Sequence, residues 1–94
     1  MIDLPYRLAP SVYLAVRDDT ARLLNLDRGR FLGLDAIATR LLVLTLEHGP
    51  AVSSAVVARE HGVPEEQVRA DLDDLLRELQ GQGALVGGRP NAAR

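Results

Sequence analysis

His48 and His61 are the first side chains to weigh, because imidazole serves near neutral pH both as a general base and as a metal ligand. Each stands directly before a glycine, Gly49 and Gly62. A histidine in the last turn complements the negative end of the helix dipole and a glycine just beyond it ends the helix, so both histidines read as capping residues. The chain has no cysteine, hence no thiolate nucleophile and no disulfide. No serine has the strand, glycine and histidine context of a hydrolase nucleophile. Asp18-Asp19 reads as a tight turn between strands before it reads as a pair of cation ligands. Gly81-Gln82-Gly83 is too short for a phosphate loop and follows a helix instead of opening one. The sequence thus assigns no catalytic group, metal or cofactor, and points to binding.

The binding partner is constrained by size and charge. Ninety-four residues make one domain with a modest core, and a formal charge of −2 gives no field to hold phosphate backbones. No apolar run approaches the roughly 20 residues a membrane-spanning helix needs. The opening MIDLPYRLAP lacks the basic region and apolar block of a secretory signal, which with the absent cysteines suits a cytoplasmic protein.

The elements that must position any binding site fall into two halves. Residues 11–16, 21–26 and 30–34 carry strand signals, separated by Asp18-Asp19-Thr20 and by Asp27-Arg28-Gly29. The second separator suits a three-residue hairpin loop in which Gly29 takes the left-handed conformation and fixes the register. Asp35 is placed to cap a helix over 36–47 whose apolar positions, Ile37, Leu41, Leu42, Val43, Leu44 and Leu46, nearly encircle it. A second helix spans about 52–61. A third starts at Pro64 and runs to about Gln80, after which 84–86 docks as a short strand. The predicted fold is α+β and winged helix-turn-helix-like, a three-stranded antiparallel meander followed by three helices. Residues 1–10 are an N-terminal arm, 11–86 the domain, and 87–94 a disordered tail rich in glycine, alanine and arginine.

Two features of this arrangement bear on partners. In a winged-helix DNA binder the third helix enters the major groove, yet here Glu65, Glu66, Asp71, Asp73, Asp74 and Glu78 outnumber Arg69 and Arg77. That helix instead carries one apolar stripe, Val68, Leu72, Leu75, Leu76 and Leu79, wide enough for Leu76 on one flank and Asp71 on the other to border a groove. The second feature is the third strand, an edge with unpaired amides and carbonyls. Phe31-Leu32-Gly33-Leu34 contains no lysine, proline or other device that blocks pairing. Such an edge is hidden by dimerisation or accepts a peptide as a further strand.

Leu24-Asn25-Leu26, then Gly29-Arg30-Phe31-Leu32-Gly33-Leu34-Asp35, then Ala38 within an apolar helix, resemble the PqqD-like recognition domains of pathways that modify ribosomally made peptides. The later Val63 to Leu72, Leu75 to Leu79 and Gly83-Ala84-Leu85-Val86 fit the family's last helix and final segment, so the resemblance covers roughly residues 10–86. A free-standing copy is most similar to the leader-binding proteins of lasso-peptide pathways. The resemblance implies a non-enzymatic protein that binds the precursor's leader as an antiparallel strand on Arg30, Phe31, Leu32, Gly33 and Leu34. By the same carry-over, apolar leader side chains lie against Val68, Asp71, Leu72, Leu75 and Leu76 of the third helix. It also implies a separate cysteine-protease-like leader peptidase and an asparagine-synthetase-like cyclase as partners, with no nucleic acid and no membrane. Where the family often has a bulky residue, this chain has Gly33, which either admits a close approach of leader backbone or aromatic or only weakens the strand. About five strand hydrogen bonds at roughly 1 kcal/mol each are offset by ordering the leader at about 1 to 2 kcal/mol per residue, so specificity is expected from the pocket. The alternatives are a DNA-binding winged-helix regulator, and a structural subunit whose edge pairs with itself.

Overall fold

In the computed structural model, residues 6–87 are described, in the order β1 (Tyr6–Leu8), β2 (Val12–Arg17), β3 (Thr20–Asn25), β4 (Arg30–Leu34), α1 (Ala36–His48), α2 (Pro50–His61), α3 (Glu65–Gly81) and β5 (Leu85–Gly87). β2, β3 and β4 form the expected antiparallel meander, and the three helices follow it. The sequence reading has no strand before Ser11, yet β1 pairs antiparallel with β5, Tyr6 opposite Gly87 and Leu8 opposite Leu85. Gly87 therefore belongs to a strand and not to the tail, and residues 88–94 lie outside the described part.

Burial alternates strictly along β3, with Ala21, Leu23 and Asn25 facing the helices and Arg22 and Leu24 facing solvent. Period-two alternation lets Val12, Leu34 and the β3 residues meet Leu41, Leu42, Leu44, Val57, Leu72, Leu76 and Leu79 of the helices in one core. α1 is less enclosed than its apolar circumference implied, because Ile37 in its first turn is 48% exposed. α1 and α2 approach through small residues. Ser53 and Ser54 are buried in α2, and the Ser53 hydroxyl donates to the Leu41 carbonyl at 2.8 Å, which satisfies a polar group inside the interface. On the surface the Arg40 guanidinium bonds Glu60 across the same helix pair at 2.7 Å, and that hydrogen bond holds the Glu60 carboxyl below its usual pKa.

The punctuation is mostly where the residues demand it. The Asp35 carboxylate accepts from the Ala38 amide at 2.8 Å, as an N-cap should. His48 and His61 are the last residues of α1 and α2, each followed by its C-cap glycine. Pro50 opens α2 two residues earlier than expected, since a residue without an amide hydrogen loses nothing at a helix start. Pro64, by contrast, keeps an extended ψ of 136° and stands just outside α3 as its N-cap. Asp18-Asp19 forms a two-residue hairpin loop closed by Arg17 and Thr20, with Asp18 at φ 58°.

The β3–β4 loop is one residue longer than the expected three. Asn25 pairs with Arg30, so Leu26 leaves β3 and joins the turn, where its amide donates to the Ser11 carbonyl at 3.0 Å. Gly29 does adopt the left-handed conformation, at φ 62°, and a Cβ placed there would meet no atom within 4 Å. Any penalty for a side chain at this position is therefore conformational and not steric. Gly29→Val should lower folding stability by about 1 kcal/mol or more, read as a shifted denaturation midpoint. An unchanged midpoint would contradict the turn geometry.

Candidate functional site

The hydrogen bond from the Leu26 amide to Ser11 fixes the backbone parity of the whole sheet. In an antiparallel pair, residues alternate between exchanging hydrogen bonds with the partner strand and turning away from it. Leu26 faces β2, so Arg22 and Leu24 face it too, and Ala21, Leu23 and Asn25 turn their backbone groups toward β4. Their partners Leu34, Leu32 and Arg30 are thereby spent on β3. Within β4, only Phe31 and Gly33 direct their amides and carbonyls away from the sheet. The open edge thus offers four backbone groups, fewer than the five bonds expected from the strand's length.

Both residues are exposed, Phe31 at 70%. Their side-chain positions also lie on the outer face of the sheet, where Phe31 continues a row with Tyr13 and Leu24 across the three strands. Tyr13, Leu24, Leu26 and Phe31 leave this face apolar and uncovered among the described residues. This explains why the two runs of the hairpin are apolar throughout: the second face is not buried in the protein.

Leu32 points the other way, into a shallow, open depression between β4 and the C-terminal end of α3. Leu23, Leu32, Leu79 and Ala84 form its apolar part, and Asn25, Arg28, Arg30, Phe31 and Gln82 complete the lining. Asn25 joins the two walls. Its side-chain amide donates to the Gln82 carbonyl at 3.1 Å, and its oxygen accepts from the Arg28 amide at 3.3 Å. Arg28 in turn lies beside Gly83, just past the end of α3, where a cation suits a helix with no basic residue in its last turn.

The structure therefore brings Arg30, Phe31 and Leu32 to one pocket, with Gly33 on the adjoining edge and Leu34 buried in the core. The α3 residues of this pocket are not the ones expected against a leader. Val68, Asp71, Leu72, Leu75 and Leu76 do not line this pocket; the α3 side is supplied by Leu79 and Gln82, near the end of the helix. Val68, Leu72 and Leu76 are buried in the core, Asp71 is exposed and Leu75 half-buried. Leu76, expected on an open flank, is only 4% exposed because the core encloses the stripe on its side. Leu79 was visible in the stripe. Asn25 stood within the run that carries the family resemblance but was given no site role, and Arg28 and Gln82 read as ordinary turn and helix-end residues.

Electrostatics set this site apart from a nucleic-acid interface. The acidic residues of α3 are exposed, and its two arginines are already engaged, Arg69 with Glu65 at 3.6 Å and Arg77 with Asp74 at 3.4 Å. No group of histidine and carboxylate side chains suited to a metal occurs among the described residues, and no helix is long and apolar enough to cross a membrane.

The fold is that of a small α+β domain in which an open sheet edge lies beside a partly apolar pocket. The particular family is shown by comparison: the profile of coenzyme PQQ synthesis protein D (PqqD) matches residues 21–85, and the chain belongs to the PqqD family. Among solved structures it is similar to TbiB1 in complex with the TbiA(beta) leader peptide, at 34% identity over 84% of this chain and 93% of that one, with a TM-score of 0.76. It also shares the fold of a lasso peptide synthetase B1 complexed with the leader peptide, at 24% identity, 86% and 96% coverage and a TM-score of 0.79. No curated protein sequence matches it.

The burial pattern on α3 separates its leucines. Leu72→Ala and Leu76→Ala should each cost about 2 to 5 kcal/mol of folding stability, as core truncations do, and Leu75→Ala clearly less. Equilibrium denaturation of the three variants reads this order, and a Leu76→Ala variant as stable as the parent would contradict its place in the core.

Proposed function

We propose that this protein is a non-enzymatic recognition domain that binds the leader segment of a ribosomally synthesised precursor, of the lasso-peptide type. The leader docks as an antiparallel strand on β4, and the domain presents it to a separate cysteine-protease-like leader peptidase and to the cyclase in the cytoplasm. The observation that carries the reading is the open edge at Phe31 and Gly33 adjoining the pocket under Leu32. The relative at 34% identity, whose structure is a complex with a leader peptide, supports it.

The geometry divides the labour of such docking. Directly opposed residues of paired strands share a face, so a leader residue opposite Leu32 directs its side chain into the pocket, and those opposite Phe31 and Gly33 direct theirs to the outer face. Four strand hydrogen bonds at roughly 1 kcal/mol each are consumed by ordering three or four leader residues at about 1 to 2 kcal/mol apiece. Burying one aromatic of about 150 to 250 Å² at about 25 cal/mol per Å² adds roughly 4 to 6 kcal/mol, less the association cost. The pocket residue is the anchor, and the edge sets its register. Asp71 and Leu75 would touch only a leader that extends along α3 beyond the pocket.

Hydrogen exchange with the leader half of a precursor encoded near this gene tests the reading. At 100 times its Kd, the peptide should slow exchange of the Phe31 and Gly33 amides by up to about 100-fold, while Arg30, Leu32 and Leu34, already bonded to β3, change little. Protection confined to α2, or equal along β4, would contradict strand addition with this parity.

A further inference from the structure

Arg22 stands directly opposite Gly33 on the outer face of the sheet. Its guanidinium carbon lies over the Phe31 ring, 5.9 Å from the centroid, a long cation–π contact that brings the cation to β4. The position beyond it is vacant: Gly33 has no side chain, and a Cβ built there would meet no atom within 4 Å. Arg40, Arg69 and Arg77 each have a carboxylate within ion-pair distance; among the described residues Arg22 has none, like Arg7, Arg17, Arg28, Arg30 and Arg59, and it differs from those in its contact with an aromatic ring. An arginine oriented by an aromatic ring and facing an empty strip at the open edge is free to accept a carboxylate there.

We propose that Arg22, Phe31 and the gap over Gly33 form a second subsite, on the outer face, for a carboxylate of the docked peptide. The inference rests on strand addition at β4. A strand added there places its residue opposite Gly33 on the same face as Arg22, two strand spacings away, or about 9.6 Å between Cα atoms. An extended arginine and a glutamate or aspartate span that distance, provided that no side chain intervenes on β4, and Gly33 meets this condition. Because the added strand is antiparallel, the residue opposite Gly33 immediately precedes the one opposite Leu32. The recognised pattern is therefore an acidic residue followed at once by the apolar anchor, the acid on the outer face and the anchor in the pocket. The planar guanidinium fork suits a carboxylate, and the contact with the Phe31 ring limits the rotamer freedom lost on pairing. Gly33 thereby acquires a role in specificity: a bulky residue there would close the gap.

Random 12-residue peptides displayed and selected on the wild-type protein, on Arg22→Gln and on Arg22→Glu test the subsite, with thermal melts to show that the exposed substitutions leave the fold intact. The wild-type pool should be enriched in Asp or Glu directly before an apolar anchor. That enrichment should vanish on Arg22→Gln and give way to Lys or Arg on Arg22→Glu. A selected peptide with its acid changed to the amide should bind the wild type about three- to tenfold more weakly and bind Arg22→Gln as before. The same acidic enrichment on all three proteins, or aromatic enrichment at that position irrespective of residue 22, would overturn the subsite while leaving strand addition intact. Selected peptides that do not shift the amide signals of Phe31 and Gly33 would overturn both.

Discussion

Asn25 is the interaction on which the site depends. It is a buried amide, 8% exposed, at the end of β3, and a buried polar group of this kind is tolerated only when its hydrogen bonds are made. It makes them to two separate elements, the Arg28 amide in the hairpin turn and the Gln82 carbonyl beyond α3. Those bonds hold the start of β4 at a set distance from the end of the helix, and the pocket is the space left between them. The segment after α3 is held from its other side, because the Ala84 carbonyl accepts from Ala9 at 3.0 Å and the Ala84 amide donates to Leu79 at 2.9 Å. β1 and β5 continue this clasp as a two-stranded ladder. The site is thus built on fixed backbone, although its lining includes a turn and a helix end.

The proposed mode of binding follows from an imbalance in the sheet. β4 is satisfied on one side only, and its parity leaves two residues with free backbone groups. Two residues are too few to give affinity against the entropy of a disordered peptide, yet enough to impose register and direction. A register fixed by the edge makes the pocket selective, since it decides which side chain arrives under Leu32. DNA binding lacks this support: the exposed face of α3 is acidic and its arginines are paired within the helix.

Local rules made much of the fold legible. Gly29, Asp35 and the apolar stripe of α3 each do what their residue types require, and the meander follows from strand signals separated by turn residues. β1 escaped because three residues between Pro5 and Pro10 carry no periodicity, and its strand exists only through pairing with β5, nearly the full length of the chain away. The pocket was half legible for the same reason. Its β4 side lies within one continuous run, but the opposing wall is set by the Asn25 bond to Gln82, a contact 57 residues distant in sequence. The stripe located the face of α3 without showing which of its turns borders this pocket.

The central claim is that a leader strand meets β4 through the outward groups of Phe31 and Gly33 alone. The most direct measurement is a scan of the leader peptide in which single backbone nitrogens are methylated, with affinity read by calorimetry. An added strand must present its amides to β4 at the residues opposite Phe31 and Gly33 and turn the amide between them to solvent. Affinity should be lost at two positions spaced by two residues and stay near parental for methylation at the anchor residue between them. Uniform tolerance along the peptide, or a loss at the anchor with tolerance on both sides, would contradict it.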